Sequence, residues 1–134
     1  MSRDAIERAC ASVVHRSYRA LDNRHYDQLA ECFHPDAVWL RQGAVLSGHA
    51  EILEALHQRP ARRVSAHFVS NLEVDVRSDD TADVSYLMMA YLRDDPELKP
   101  GVAIFPSSIS RYEERLERRN ALWGVVSRRS ERLF

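Results

Sequence analysis

Two residues of types suited to acid–base chemistry stand out, His67 in the stretch SAHFVSN and Asp22 in the stretch ALDNRHYD. An imidazole with an ordinary pKa of about 6.5 is a competent base at neutral pH. A carboxylate bonded to one ring nitrogen fixes the tautomer, leaves the other nitrogen free to accept a proton and stabilises the imidazolium that forms. Such a pair could abstract a proton next to a carbonyl or a leaving group. Loss of water, loss of halide or isomerisation would follow.

Each residue also has a purely structural interpretation. Asp22 lies at the end of the first predicted helix and could simply cap or solvate the turn LDNRH. His67 could be a core histidine whose ring is bonded to a backbone carbonyl. The chemical interpretation therefore requires the two side chains to meet beside a pocket.

The alternation of side chains along the strand that contains His67 sets a condition on that meeting. Leu72 and Val74 point to the apolar face, and His67 falls in register with the opposite, polar face. His67 reaches the apolar side only if the strand bends or carries a bulge near Ser70 and Asn71, or if the early part of the strand faces the pocket differently.

The helices that must position these residues follow from the spacing of apolar side chains. Residues 4–23 show an amphipathic pattern, with Asp4 as the N-cap and Glu7 placed to close a capping box. A short second helix is predicted over 25–33 and a third over 48–59, each followed by a proline.

The second half of the chain has the period of two that is typical of strands. A short strand is predicted over 36–40 and a brief one after the turn at 43. Four long strands are predicted over 67–78, 81–93, 101–118 and 121–133. Helices first and strands afterwards indicate an α+β fold, with three N-terminal helices packed on one face of a curved antiparallel sheet.

Composition restricts the class of protein. A chain of 134 residues suits one domain, 1–134. A net charge of −1 argues against nucleic acid as a partner, and the alternation RYEERLERR is typical of a solvated strand face. No apolar run approaches the ~20 residues that span a bilayer, and the N-terminus lacks the apolar region of a signal peptide. We therefore predict no membrane partner and a cytoplasmic location.

The sequence offers no signal for a metal or an organic cofactor. Cys10 and Cys32 lack metal or redox spacing, and we interpret them as two small buried thiols. The six histidines include no HxxxH pair, and none of the four glycines fits GxGxxG. We predict that the protein works without a metal, a nucleotide or a flavin.

Three segments resemble the nuclear transport factor 2-like fold and, within it, the SnoaL-like proteins. YRALDNRHYDQLAECFHPDAVW is similar to the family's first two helices and first strand, and GHAEILEAL to its third helix. HFVSNLEV, with the later RYEERLER and LWGVVSRR, is similar to its sheet. The resemblance covers nearly the whole chain and implies one SnoaL-like domain, in which the helices and a cone-shaped sheet enclose an apolar pocket.

The resemblance also implies roles for the two residues. In the branches that resemble scytalone dehydratase and hexachlorocyclohexane dehydrochlorinase, an aspartate late in the first helix pairs with a histidine at the start of a long strand. Asp22 and His67 match those positions. The dehydratase branch has a second histidine on a later strand, where this chain has Phe105. The role of gripping a leaving oxygen is then vacant, or passes to Ser107, Tyr86 or Trp39.

The pocket lining is predicted from side-chain alternation together with this resemblance. We expect mainly apolar and aromatic side chains, with few charges beyond Asp22 and His67. The same residues could equally be plain core. The predicted substrate-binding residues are Tyr18, Trp39, Tyr86, Met88, Phe105 and Trp123.

Two functions of different classes are compatible with these observations. The first is a cofactor-independent lyase or isomerase that acts on a small hydrophobic cyclic molecule through His67 and Asp22. The second is a non-catalytic domain, either a small-ligand binder or an assembly subunit that resembles the small subunits of ring-hydroxylating dioxygenases. In either case we expect a homodimer through the sheet face, because the stretch SYLMMAYL is apolar on both of its faces.

Overall fold

The computed structural model describes residues 1–94 and 101–134. Three helices precede most of the strands, and the described strands form one six-stranded sheet. The helices are α1 (Arg3–Asp22), α2 (Tyr26–Glu31) and α3 (Gly48–His57). The strands are β1 (Phe33–Arg41), β2 (Ala44–Ser47), β3 (Val64–Val76), β4 (Thr81–Arg93), β5 (Ser108–Arg119) and β6 (Leu122–Arg132). The predicted α+β class is confirmed.

The sheet is mixed rather than wholly antiparallel. Its strand order is β2-β1-β6-β5-β4-β3, and β1 runs parallel to β6 while the other neighbouring pairs are antiparallel. The prediction of an antiparallel sheet is wrong at this pairing. The chain enters the sheet through β1, turns back in β2 and crosses through α3. The last strand then adds beside β1 in the same direction.

Helix α1 begins one residue earlier than predicted. The Ser2 hydroxyl accepts a hydrogen bond from the Ala5 amide at 3.2 Å and is the N-cap, so the predicted capping box at Asp4 is wrong. Asp4 lies instead in the first turn, where its charge interacts favourably with the helix dipole. Glu7 forms a salt bridge with Arg3 at 3.3 Å.

The apolar stripe of α1 packs on the inner face of the sheet and closes the core. The stripe meets the inward side chains of β4, which alternate along the strand in the buried positions. Both cysteines are free and buried within this core, and burial raises the pKa of the Cys10 thiol to about 11. Among the described residues, no helix combines the length and the apolar character needed to cross a bilayer.

A bulge in β3 satisfies the condition that the sequence set for His67. Ser70 pairs with Leu87 and Glu73 with Ser85, so two residues of β3 oppose the single Tyr86 of β4. Asn71, at the bulge, has a φ of 54°, a left-handed conformation that asparagine tolerates better than most residues. The inward positions therefore change from odd numbers before the bulge to even numbers after it, and His67 faces the helices.

A second bulge lies in β6. Arg115 pairs with Ser127 and Leu116 with Val125, which leaves Val126 as the extra residue. The extra residue lets both Val125 and Arg128 point inward, although they are three positions apart and would otherwise face opposite sides of the sheet.

Candidate active site

Asp22 and His67 are in direct contact. The Asp22 Oδ1 atom lies 2.6 Å from His67 Nδ1, and Asp22 Oδ2 accepts a hydrogen bond of 2.9 Å from the His67 backbone amide. The last residue of α1 thus holds both the ring and the main chain of His67. Because β3 is the outermost strand of the sheet, this amide has no strand partner to satisfy and is available to the carboxylate.

Three hydrogen bonds hold Asp22 in its ionised form. Burial is the largest single influence on its pKa and acts to raise it. The hydrogen bonds from the His67 ring, the His67 amide and the Ser65 hydroxyl together outweigh burial, and the pKa of Asp22 falls below its ordinary value. An ionised carboxylate only accepts hydrogen bonds, so His67 Nδ1 carries the hydrogen of this pair. The lone pair of His67 Nε2 is then available to take a proton.

A second set of contacts holds the dyad from the side of α3. The Ser65 hydroxyl donates to Asp22 Oδ1 at 2.8 Å and accepts from Arg59 Nη2 at 3.0 Å. Arg59 Nη1 donates to the Leu21 carbonyl at 3.2 Å and to the Tyr26 hydroxyl at 3.0 Å. Arg59 therefore ties the end of α1 to the start of β3. Sequence reasoning missed both Ser65 and Arg59, although Ser65 has the same strand parity as His67.

Replacing Ser65 by alanine should raise the pKa of Asp22, because one of the three hydrogen bonds that favour the ionised form is lost. A pH titration of the side-chain carboxyl carbon signals by NMR measures this change. Ser70→Ala is the matched control, since Ser70 is exposed and has no described contact with Asp22. An Asp22 titration that is the same in both variants would contradict this account of the carboxylate.

The same change in the Asp22 pKa can also be measured through the pH dependence of stability. A carboxyl whose pKa is depressed on folding contributes stability above its unfolded pKa of about 3.9, and this contribution is lost as the pH falls through the folded value. As the pH is lowered from neutral to below the folded pKa of Asp22, the free energy of unfolding should therefore fall less in Ser65→Ala than in the native chain. Urea unfolding at a series of pH values measures the difference.

The dyad opens into a groove between α1 and β3. The groove has a volume of about 640 Å³. Tyr18, four residues before Asp22, forms part of its wall, and the Tyr18 ring stacks on the His67 ring with centroids 5.6 Å apart. Val69 lies beside His67 on the same wall. The residues that line the groove are Ser12, His15, Arg16, Tyr18, Arg19, Asp22, Asn23, His67 and Val69.

The other predicted substrate-binding residues lie elsewhere. Trp39, Tyr86, Met88 and Trp123 are 2–9% exposed and belong to the core, and none of them lines the groove that holds the dyad. Phe105 is 77% exposed and lies on the outer side of the sheet, away from the groove that holds the dyad. The reason is that β5 begins only at Ser108, and the stretch before it does not follow the alternation of a strand.

A buried polar network fills the interior behind Tyr18. Glu114 and Arg128 are directly opposite each other on β5 and β6, and their side chains are fully buried with Arg128 Nη2 3.1 Å from Glu114 Oε1. Tyr86 donates its hydroxyl hydrogen to Glu114, and the Tyr18 hydroxyl lies 2.6 Å from that of Tyr86. The expectation of few charges beyond Asp22 and His67 allows for this single ion pair in an otherwise apolar and aromatic interior.

Arg128 is held by aromatic rings as well as by charge. Its guanidinium lies 4.7 Å from the Tyr18 ring centroid, 4.9 Å from that of Phe33 and 5.1 Å from that of Trp39. Burial by itself would lower the pKa of Arg128, but the charge of Glu114 and the nearby phenols raise it further than burial lowers it. Arg128 is therefore a permanent cation, separated from the dyad by the ring of Tyr18.

The arrangement can perform general acid–base chemistry at one point. His67 supplies an imidazole nitrogen at the groove, Asp22 orients the ring, and burial keeps the Tyr18 and Tyr86 phenols neutral by raising their pKa well above the ordinary value. Within the described part of the chain, no group of three or more histidine, cysteine, aspartate or glutamate side chains is placed to hold a metal ion.

Comparison with known protein families assigns the chain to one of them. The family model of the SnoaL-like domain matches residues 3–129. The chain belongs to the SnoaL-like family, as its sequence pattern indicated. No curated protein sequence matches it significantly.

Solved structures share the fold at low sequence identity. A putative scytalone dehydratase from Novosphingobium aromaticivorans is 18% identical, with a TM-score of 0.81 over 95% of this chain and 83% of that chain. A type 2 hexachlorocyclohexane dehydrochlorinase (LinA) is 20% identical, with a TM-score of 0.81 over 98% and 88% of the two chains. A putative aromatic ring hydroxylase from Novosphingobium aromaticivorans is 20% identical, with a TM-score of 0.76 over 94% and 87%. At these identities the likeness is one of fold.

Proposed function

We propose that this protein is a cofactor-independent lyase or isomerase in which His67 takes a proton from a carbon atom of a small cyclic substrate. The observation that carries the proposal is the 2.6 Å contact between His67 Nδ1 and Asp22, made in a groove that leaves His67 Nε2 for the substrate. Support for the reaction class comes from the structural neighbours described as a dehydratase and a dehydrochlorinase.

The chemistry would proceed by transfer of one proton. His67 Nε2 accepts the proton of an acidic C–H bond, and the ring becomes an imidazolium that the Asp22 carboxylate stabilises through Nδ1–H. The electron pair of the C–H bond then forms a carbon–carbon double bond as a neighbouring hydroxyl or halide leaves with its own bonding pair. If no group leaves, the proton returns to a different carbon and the product is an isomer.

The residues predicted to grip a leaving oxygen need a different assignment. The Ser107 hydroxyl accepts a hydrogen bond of 3.1 Å from the Leu92 amide, outside the groove, and Trp39 and Tyr86 are closed within the core. We therefore do not propose that any of these three residues contacts the leaving group. Tyr18 remains as the proposed substrate contact, since its ring forms the wall beside His67.

One observation favours the alternative function. The interior that the resemblance implied as a pocket is occupied by aromatic side chains and the Glu114–Arg128 pair. A closed interior suits a non-catalytic domain, such as an assembly subunit, better than an enzyme that encloses its substrate.

Proton exchange separates the two functions without knowledge of the net reaction. Cyclic ketones incubated with the protein in D₂O should show enzyme-dependent uptake of deuterium at the acidic carbon beside the carbonyl.

Asp22→Asn should lower the rate of this exchange roughly 10²-fold or more, because the imidazolium loses its stabilising charge while the ring keeps a hydrogen-bond partner. Mass spectrometry of the recovered compound measures the rate. Asp27→Asn is the control, since Asp27 is an exposed acid in the first turn of α2. Equal rates in the native chain and in Asp22→Asn would remove Asp22 from the mechanism.

We also propose that a second copy of this chain covers an apolar patch on the outer face of the sheet. The patch surrounds a groove of about 650 Å³ whose walls include Phe68, Met89, Tyr91, Ile104 and Phe105. Phe68 and Phe105 are 53% and 77% exposed. Alternate residues of β4 face the core, so the apolar stretch that motivated the homodimer is covered on one side and open on the other.

Sedimentation equilibrium at micromolar concentration should give twice the chain mass of 15.5 kDa. Phe68→Glu should shift the protein to a monomer, because a charge in the centre of an apolar interface costs more than the contact contributes. Val45→Glu is the matched control, since Val45 is 59% exposed on β2 at the opposite edge of the sheet. A native chain that sediments at 15.5 kDa would refute the homodimer.

A further inference from the structure

The groove that holds the dyad is lined by basic residues on its helical side. His15, Arg16 and Arg19 come from the exposed flank of α1, where Arg19 lies three residues after Arg16 and four after His15 and so neighbours both. The opposite wall is His67 with Val69, and Asp22 lies at the end between the two walls. Any molecule that reaches His67 from this groove passes beside two guanidinium groups.

Half of the eighteen arginines form a salt bridge with a described residue, and Arg16 and Arg19 belong to the half that does not. Arg77 and Arg115 both pair with Asp83 on the outer face of the sheet. Within residues 1–94 and 101–134, by contrast, neither Arg16 nor Arg19 has an acidic partner within salt-bridge distance. Their two positive charges exceed the single negative charge of Asp22, so the groove has an excess of positive charge beside the proposed base.

The dipole of α1 accounts for only one of these residues. Arg19 lies in the last turn, where a cation is favourable at the carboxyl end of a helix. Arg16 lies before the last turn, where that effect has faded. The helix dipole therefore gives no reason for a cation at position 16, whereas Arg16 does line the groove.

We propose, on the basis of the proposed function, that the substrate is an anion and that its carboxylate binds between Arg16 and Arg19. The cyclic body then lies along Tyr18 and Val69, with the acidic carbon at His67 Nε2. The arginines would act twice: they attract the charged ground state, and they stabilise the additional negative charge that forms on the substrate when His67 removes the proton. A neutral hydrophobic substrate would leave both guanidinium groups without a partner.

Two probes of the same shape and different charge test this proposal. Benzoate and benzamide are titrated into isotope-labelled protein, and the His67 ring signals, assigned with the variant His67→Gln, report binding at the groove. We expect benzoate to bind about tenfold more tightly than benzamide, and added sodium chloride to weaken benzoate alone.

The variants locate the site. Arg16→Gln/Arg19→Gln should remove the preference for benzoate, whereas Arg8→Gln, which neutralises an exposed arginine of the same helix outside the groove, should keep it. Glutamine preserves helix propensity, so the comparison is one of charge. Equal binding of the two probes, no binding of benzoate, or equal losses in the Arg8 variant and the double variant would overturn the proposal.

The same spectra separate failure of this proposal from failure of the proposed function. A His67 Nδ1–H signal that is present in the native chain and lost in Asp22→Ala, where no side-chain acceptor remains at position 22, shows that the dyad forms in solution. If that signal is present and benzoate has no advantage, the anionic substrate is refuted while the dyad remains. If the signal is absent, the dyad is refuted as well.

Discussion

His67→Ala should abolish exchange and turnover while leaving the fold nearly intact. Removal of the base should lower the rate by roughly 10³–10⁴-fold, because no other described side chain in the groove combines a proton-accepting nitrogen with an ionised partner. Asp22 loses only one of its contacts in this variant, since the Ser65 hydroxyl and the backbone amide of residue 67 still bind the carboxylate. We therefore expect a loss of about 1 kcal/mol in the free energy of unfolding.

A purely structural histidine predicts a different pair of measurements. Truncation would then lower the free energy of unfolding by roughly 1–3 kcal/mol through the partner left unpaired, and there would be no activity to lose. His57→Ala is a suitable control for the general effect of removing an imidazole, because His57 packs edge-on against Tyr26 with ring centroids 5.4 Å apart and lies outside the groove. Exchange rates and urea unfolding on the same two variants decide between the interpretations.

The approach of Asp22 to His67 could be predicted from the sequence only in part. The helical stripe fixed the end of the first helix, and the alternation of β3 showed that His67 needed a bulge or another break in the alternation to face inward. Asparagine at position 71 is the local signal, because it adopts the left-handed conformation that the bulge requires. The contact itself is a long-range event between residues 45 positions apart, which no local pattern encodes.

The buried ion pair could not be predicted by the same reasoning. Strict alternation along β6 from Trp123 and Val125 places Arg128 on the outer face, and the stretch RYEERLERR reads as a solvated surface. The extra residue at Val126 reverses the alternation and turns Arg128 inward. No glycine, proline or asparagine stands at Val126 itself, and Gly124, two residues earlier, marks an irregularity in the strand without showing which residue is the extra one.

The position of Phe105 could not be predicted from hydrophobicity. The apolar stretch around Phe105 predicts an inward side chain, yet β5 starts three residues later and Phe105 lies on the outer patch. Hydrophobicity alone does not distinguish a side chain that packs in its own core from one that would pack against another subunit. The distinction depends on where pairing with β4 begins, and in this chain Ala90 and Ser108 form the first pair.

The largest effect on stability is expected from Arg128→Met. The variant removes a cation that is fully buried against Glu114 and three aromatic rings, and it leaves the Glu114 carboxylate buried without a counter-charge. Breaking a buried pair in this way typically costs about 3–5 kcal/mol, a large part of the roughly 5–15 kcal/mol that stabilises an ordinary domain. Urea unfolding followed by circular dichroism measures the loss.

The neighbouring residues provide a matched comparison for this prediction. Arg129 pairs with Glu113 one position along the same two strands, but on the exposed face. Arg129→Met should therefore change the free energy of unfolding by less than about 1 kcal/mol. The double variant Arg128→Met/Glu114→Gln should recover much of the loss, because a neutral amide still accepts the hydrogen bond from Tyr86 and no charge remains buried. If Arg128→Met costs no more than Arg129→Met, the interior tolerates the lone carboxylate, and the ion pair is not what holds β5, β6 and the Tyr18 wall of the groove together.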